Sequence, residues 1–375
     1  MLAIRIPMVC CFAAALLALG CGAKPDTAPV AAADTAQDAA GNGFDGLATT
    51  ADASATDVGS AEVSTPGDAD AGPAAKPPTV RASAAYDVVT KTDIVYAKAL
   101  VDAKWGAVAG KEIDLQLDSF APKAPLPGLM PALVLIHGGG FTGGSRKDGN
   151  MVAQAKYLAA RGWYVVSITY RLAGTQGPIP AKWLSAAKAS GSENVASAMY
   201  LAGRDAKAAV RWLHHNAAAL GVDPNHIAIG GGSAGAYTAI GVGLSQPAEL
   251  RDELTLQQDP TLASTHLAAT SGVRAVIDYW GSGSMLDLLL LVTGTVAFDP
   301  TDPPMAILHG TEDETVSFAE AKNLKKRYDE TGVAYIYHPL QGEGHGAWTA
   351  KIGGKSLVET AFDFLVKQQG LSVQP

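Results

Sequence analysis

From Tyr86 to Pro375, short β-branched and apolar runs alternate with stretches of helical period, and this alternation limits the possible folds more than any other feature. The predicted strands cover 93–97, 113–117, 132–136, 163–169, 226–229, 273–279, 305–308 and 334–337. Several are apolar on successive residues, as a strand covered on both faces must be. Between them, 205–220 places Ala206, Ala209, Val210, Leu213 and Ala217 at spacings of three and four, with Arg211, His214 and Asn216 off that stripe. Gly221 stops this helix. Further helices are predicted at 236–244, 318–331 and 355–369. The pattern predicts an α/β protein: a mostly parallel, eight-stranded sheet with helices on both faces.

The residues before Tyr86 have a different character. Arg5 precedes an apolar run over 8–19, shorter than the roughly 20 residues of a membrane-spanning helix. It reads as an export signal over 1–20. The ending Leu17-Ala18-Leu19-Gly20-Cys21 is similar to the bacterial lipoprotein cleavage box, which implies lipidation of Cys21 and membrane contact through that lipid anchor. Ordinary secretion with cleavage after Ala18 is the alternative. Residues 21–85 are nearly all Ala, Asp, Thr, Ser, Pro and Gly, with three basic residues against nine acids. Such a segment buries too little apolar surface to offset ordering entropy, so a disordered linker is expected.

The three cysteines are Cys10, Cys11 and Cys21, so residues 86–375 can hold no disulfide, no cysteine-based metal site and no thiol nucleophile. A net charge of −8 argues against nucleic acid as a partner. No metal or cofactor motif stands out. Gly230, Gly232 and Gly235 fit G-x-G-x-x-G, but that strand lies deep in the chain and no acid follows at the required distance. Gly354-Lys355-Ser356 lacks the first P-loop glycine, since Thr349 stands there.

Two glycine motifs carry chemistry. Gly231-Gly232-Ser233-Ala234-Gly235 is G-x-S-x-G between a predicted strand and a helix, where a sharp turn presents the serine on a strained backbone. His137-Gly138-Gly139-Gly140-Phe141 follows another apolar strand, and successive glycines there let backbone N–H groups turn toward a developing oxyanion. A serine nucleophile also needs a base and an orienting acid. Of eight histidines, His345 sits in a glycine loop just after the last strand. Asp313 follows the strand at 305–308, and Asp278, ending the preceding strand, competes for the acid role.

The order HGGGF, Ser233, Asp313, His345, with Thr169-Tyr170-Arg171-Leu172 and Gly221-Val222-Asp223-Pro224, resembles the α/β-hydrolase carboxylesterases bearing an HGGG loop. The resemblance covers nearly all of 86–375. It implies a catalytic domain in which Ser233 attacks an acyl carbon, His345 moves the proton and Asp313 orients His345. It further implies that the backbone N–H groups of Gly139, Gly140 and Ala234 hold the oxyanion, without a cofactor. Gly232 departs from the hormone-sensitive-lipase branch, which usually has Asp there. The expected substrate is a small-molecule or carbohydrate ester at the cell envelope. A peptidase on the same triad, and a catalytically silent binding module, are the competing readings. The long segments 172–203 and 281–304 are expected to cover the site.

Overall fold

The structure, a computed structural model, describes residues 76–102, 104–107 and 110–375. The signal segment, Cys10, Cys11, Cys21 and most of the expected linker lie outside the described residues. Strands are β1 (Thr79–Arg81), β2 (Val88–Val101), β3 (Lys111–Pro122), β4 (Met130–Ile136), β5 (Tyr164–Ile168), β6 (Val222–Gly232), β7 (Val276–Tyr279), β8 (Met305–Gly310), β9 (Tyr335–Leu340), β10 (Lys351–Ile352), β11 (Lys355–Ser356) and β12 (Ser372–Gln374). Helices are α1 (Gly149–Ala159), α2 (Ala181–Ala189), α3 (Glu193–Leu220), α4 (Ala234–Leu244), α5 (Ser284–Thr293), α6 (Ala319–Thr331) and α7 (Leu357–Gln368).

Eight strands form one sheet in the order β2-β3-β5-β4-β6-β7-β8-β9. The pairs β2/β3 and β3/β5 are antiparallel, and every later pair is parallel. In β4, Ala132 to Ile136 are fully buried. The pleat divides them: Ala132, Val134 and Ile136 join one apolar cluster, Leu133 and Leu135 the other. Helices α3 to α6 cover the first face, while α1 and α7 cover the second. Their ends follow from local chemistry. Asp148 accepts from the amides of Asn150 and Met151 at the start of α1, and Ser356 with Glu359 closes a capping box on α7. Gly221 takes a left-handed φ of 66° to end α3.

All eight predicted sheet strands are present, with shifted ends, and three differences stand out. Residues ahead of the expected boundary at Tyr86 belong to the folded domain, because Val80 is buried and Thr79–Arg81 pairs in parallel with Ser372–Gln374. Helix α3 starts at Glu193, twelve residues ahead of the expected start at Asp205, and α2 precedes it inside the expected covering segment. Arg211 is buried, although it lies off the predicted apolar stripe.

The connections around β4 run in opposite directions. The chain leaves β4 for β5 on one side and returns through α2 and α3 to β6 on the other, so a crevice opens at the carboxyl ends of β4 and β6. One buried ion pair ties this region together. The Nε and Nη2 atoms of Arg171, just past β5, bond the Asp205 carboxylate of α3, at 2.7 Å for the Nη2–Oδ1 contact, and both side chains are 3–4% exposed. Removing one partner strands a charge in the interior. Arg171→Met is therefore expected to lower unfolding free energy by about 3–5 kcal/mol. Urea denaturation checks this, and a loss below about 1 kcal/mol contradicts a tightly buried pair.

Candidate active site

Ser233 stands at the turn between β6 and α4 with φ 55° and ψ −126°, a region that side chains other than glycine rarely enter. The chain holds it there by hydrogen bonds and close packing. The Ser233 amide donates to Tyr279 O at 2.9 Å, and its carbonyl accepts from the amides of Ala236 and Tyr237. A Cβ on Gly235 would lie 2.1 Å from Ile136 O, so only glycine lets α4 start this close to β4. The result is a serine hydroxyl presented at the crevice.

His345 lies in the loop after β9 and Asp313 in the loop after β8, and the structure brings both to Ser233. His345 Nε2 is 3.0 Å from Ser233 Oγ, and His345 Nδ1 is 2.8 Å from Asp313 Oδ2. A carboxylate only accepts, so the imidazole proton sits on Nδ1 and the Nε2 lone pair faces the serine hydroxyl. The Asp313 side chain is fully buried, and its Oδ1 accepts from the amides of Thr315 and Val316. Burial pushes its pKa up, but hydrogen bonds from His309, His345 and the Val316 amide outweigh this and hold it below the ordinary value.

Asp278 does not take that role. Its Oδ1 accepts from the Gly281 amide at 2.7 Å, and Oδ2 is buried without a partner among the described residues. His309 was not singled out from sequence, yet it braces Asp313. Its Nε2 lies 2.8 Å from Val316 O and 3.3 Å from Asp313 Oδ2. Its spacing of four residues before Asp313 was the available signal.

The HGGG loop lies against the elbow. A Cβ on Gly138 would come 2.9 Å from Gly232 O and 3.3 Å from Ser233 Cβ. Gly139 and Gly140 take φ values of 115° and 61°. Among the described residues the amides of Gly139, Gly140 and Ala234 donate to no protein acceptor, so these three N–H groups remain available beside Ser233. Tyr170 supports the loop, stacking on His137 at 4.3 Å and donating to His137 O at 2.9 Å.

Gly232 has a physical account. A Cβ there would lie 2.8 Å from the Trp348 ring, so the indole occupies the space an acidic side chain would need. Trp348 also packs edge-on against Trp280 at 4.5 Å, and Trp280 meets the His345 ring at 6.2 Å. These tryptophans, unnoticed in the sequence, wall the histidine loop. Within the expected covering segments 172–203 and 281–304, Trp183, Met199, Tyr200, Met285 and Leu286 are buried in the apolar core. Trp183 donates to Ala196 O and packs on Tyr200, so these side chains hold the cover together. Among the described residues no group of three or more His, Cys, Asp or Glu is arranged to hold a metal ion.

This fold, with its sheet order and its serine elbow, is the α/β-hydrolase fold. Residues 88–252 match the model of the Carboxylesterase family. Fumonisin B1 esterase of Sphingopyxis macrogoltabida is 33% identical over 162 residues, 42% of this chain and 28% of that protein. Esterase LipC of Mycobacterium tuberculosis is 24% identical over 238 residues, 58% of this chain and 53% of that protein. The chain thus spans about a quarter to a half of the length of these curated relatives. Among solved structures, an esterase of Thermogutta terrifontis phosphorylated by paraoxon superposes with a TM-score of 0.52 at 26% identity. It covers 74% of this chain and 94% of its own. A carbohydrate esterase from gut microbiota superposes with a TM-score of 0.50 at 22% identity, over 79% of this chain and 100% of its own.

Burial pushes the Asp278 pKa up to about 6, against the opposing pull of His309 and the Gly281 amide. The folded state therefore binds this proton more tightly than the unfolded chain. The contribution of Asp278 to stability is greatest below the ordinary carboxyl range and falls as pH rises from about 4 through about 6. A shift of this size corresponds to about 3 kcal/mol. Asp278→Asn should thus gain melting temperature relative to the parent at pH 8 and gain little at pH 4. An equal gap at both pH values, measured by calorimetry, would remove the argument.

Proposed function

We propose that the protein hydrolyses carboxylic esters through an acyl-enzyme intermediate on Ser233. The observation that carries this reading is the unbroken chain Ser233 Oγ, His345 Nε2, His345 Nδ1, Asp313 Oδ2, with links of 3.0 and 2.8 Å, at a strained elbow beside unpaired backbone amides. Ser233 Oγ attacks the acyl carbon while its proton passes to His345 Nε2. The carbonyl oxygen becomes an oxyanion held by the amides of Gly139, Gly140 and Ala234. Collapse breaks the bond to the alkoxy oxygen, which takes the proton from His345 and leaves as the alcohol. Water then attacks the acyl-serine, gives its proton to His345, and the acid departs as Ser233 is reprotonated. Asp313, ionised throughout, keeps the imidazole proton on Nδ1.

The Carboxylesterase match over 88–252 and the esterases among the relatives support the choice of ester over amide. The paraoxon adduct of the Thermogutta terrifontis esterase supports a phosphylatable serine here. We assign short-chain acyl or acylated-carbohydrate esters as the substrate class, in keeping with the carbohydrate esterase among the neighbours. Ser233→Ala should lower turnover of p-nitrophenyl acetate by on the order of 10⁴-fold and abolish labelling by a fluorophosphonate, and Asp313→Asn should cost a comparable factor. Turnover by Ser233→Ala within tenfold of the parent would sink the mechanism. Preference for an aminoacyl anilide over the ester would point instead to a peptidase.

The leader motif supports a second assignment: export to the bacterial cell envelope, with the mature chain lipidated at Cys21 and tethered by the residues between Cys21 and β1. Growth with a labelled fatty acid should mark the native protein, and Cys21→Ala should lose the label. Label retained by that variant would place the anchor elsewhere.

A further inference from the structure

Beyond the crevice, a small cavity lies beside α3. Arg204 and Arg211, seven residues apart on that helix, line it together with Arg171, Asp205, Asp259 and Thr265. Arg204 and Arg211 are 4% and 2% exposed. The third guanidinium, Arg171, is already neutralised by Asp205, and its Nη1 donates to Leu100 O at 3.1 Å.

The other two are not matched in this way. Among the described residues, no carboxylate oxygen lies within 4.0 Å of the Arg204 or Arg211 guanidinium. Arg211 Nε donates to Thr265 O at 2.7 Å, and Arg204 Nη2 reaches Arg251 O only at 3.5 Å. Nη1 of both arginines is buried and has no acceptor among the described residues. Nearby acids are engaged elsewhere. Asp259 Oδ1 accepts from the Thr261 amide and hydroxyl, Glu253 from the Leu250 amide and the Tyr200 hydroxyl, and Asp252 pairs with Arg251. Lys98, which also lines the cavity, pairs outward with Glu112, and the three arginines still exceed Asp205 and Asp259 by one positive charge.

A guanidinium does not give up its proton inside a protein, so its burial has to be met by countercharge. Water can satisfy the N–H groups but leaves the excess positive charge of the lining without a counterion. A single monovalent anion accepts from the donors and balances the one charge by which Arg171, Arg204 and Arg211 exceed Asp205 and Asp259. We propose that this cavity binds one small monovalent inorganic anion of halide size, held between Nη1 of Arg204 and Nη1 of Arg211. The site is separate from Ser233, and its role is to fasten α3 to the segment around Thr265.

The test uses the purified protein at constant ionic strength, with gluconate exchanged stepwise for chloride or bromide. A saturable rise in melting temperature of about 3 °C or more is expected. Crystals grown in bromide should show an anomalous peak within hydrogen-bond distance of both Nη1 atoms. Arg211→Met should lose the halide response, and Arg204→Met serves the same purpose if the first variant does not fold. A melting temperature indifferent to halide with no anomalous peak overturns the proposal in favour of water. A halide response that persists in the folded variant overturns it as well.

Discussion

The arrangement of the site depends on how closely β4 and the start of α4 approach each other. With Gly231 paired to Ile136 and the backbone of Gly235 set against Ile136 O, no side chain fits between strand and helix. That contact forces the chain through the turn at Ser233, where φ is positive, and the amide bond to Tyr279 O keeps it there. The same approach puts Gly138 beside Ser233, so nucleophile and candidate oxyanion donors are fixed by one packing event. Strain at a single residue costs on the order of 1–3 kcal/mol and persists because both sheet pairing and helix packing oppose its release.

Behind the nucleophile, charge is distributed unevenly between two buried acids. Asp313 accepts from two backbone amides and His345, with His309 beside it, which suits a permanent carboxylate. Asp278 has one amide donor and an orphaned oxygen, which suits a neutral acid. Each of the two positions ends or follows a strand at the carboxyl edge of the sheet, so Asp278 competes with Asp313 in the sequence. The number of donors each loop supplies separates them: the 313–316 turn folds its amides back onto its own aspartate. Only the acid whose charge is already stabilised can hold an imidazole proton on Nδ1 without taking it.

Local chemistry made the sheet and the candidate site readable, and long-range packing hid the rest. Strands such as 132–136 are apolar on every residue, and the glycine loops around Ser233 and His345 carry their turn chemistry within five residues. The β1/β12 pairing joins residues 293 positions apart, and Val80 has no neighbour in sequence to signal its burial. Trp280 and Trp348 meet only because the loops after β7 and β9 converge. The first turns of α3 lack a visible helical stripe because Ala198 to Ala202 are apolar on successive residues, so their apolar period is weak.

Helix α3 shows why periodicity fails in the second layer of such a fold. A helix with one face on a sheet and the other in water keeps its charges outside. Here a further layer, the chain around 245–265, covers the outer side, so Arg204, Lys207 and Arg211 are enclosed with their charges. Each then needs partners that local sequence does not supply. Lys207 finds Ser245 Oγ, Gln246 O and Glu249 O at 2.7–2.9 Å, just past the C-terminus of α4, where the helix dipole favours a cation. Burial still pushes its pKa down to about 7, with the neighbouring Arg211 adding to the fall. The polar residues of α3 are therefore fasteners between the covering segment and the sheet. Their burial follows from what the covering segment encloses rather than from the period of the helix.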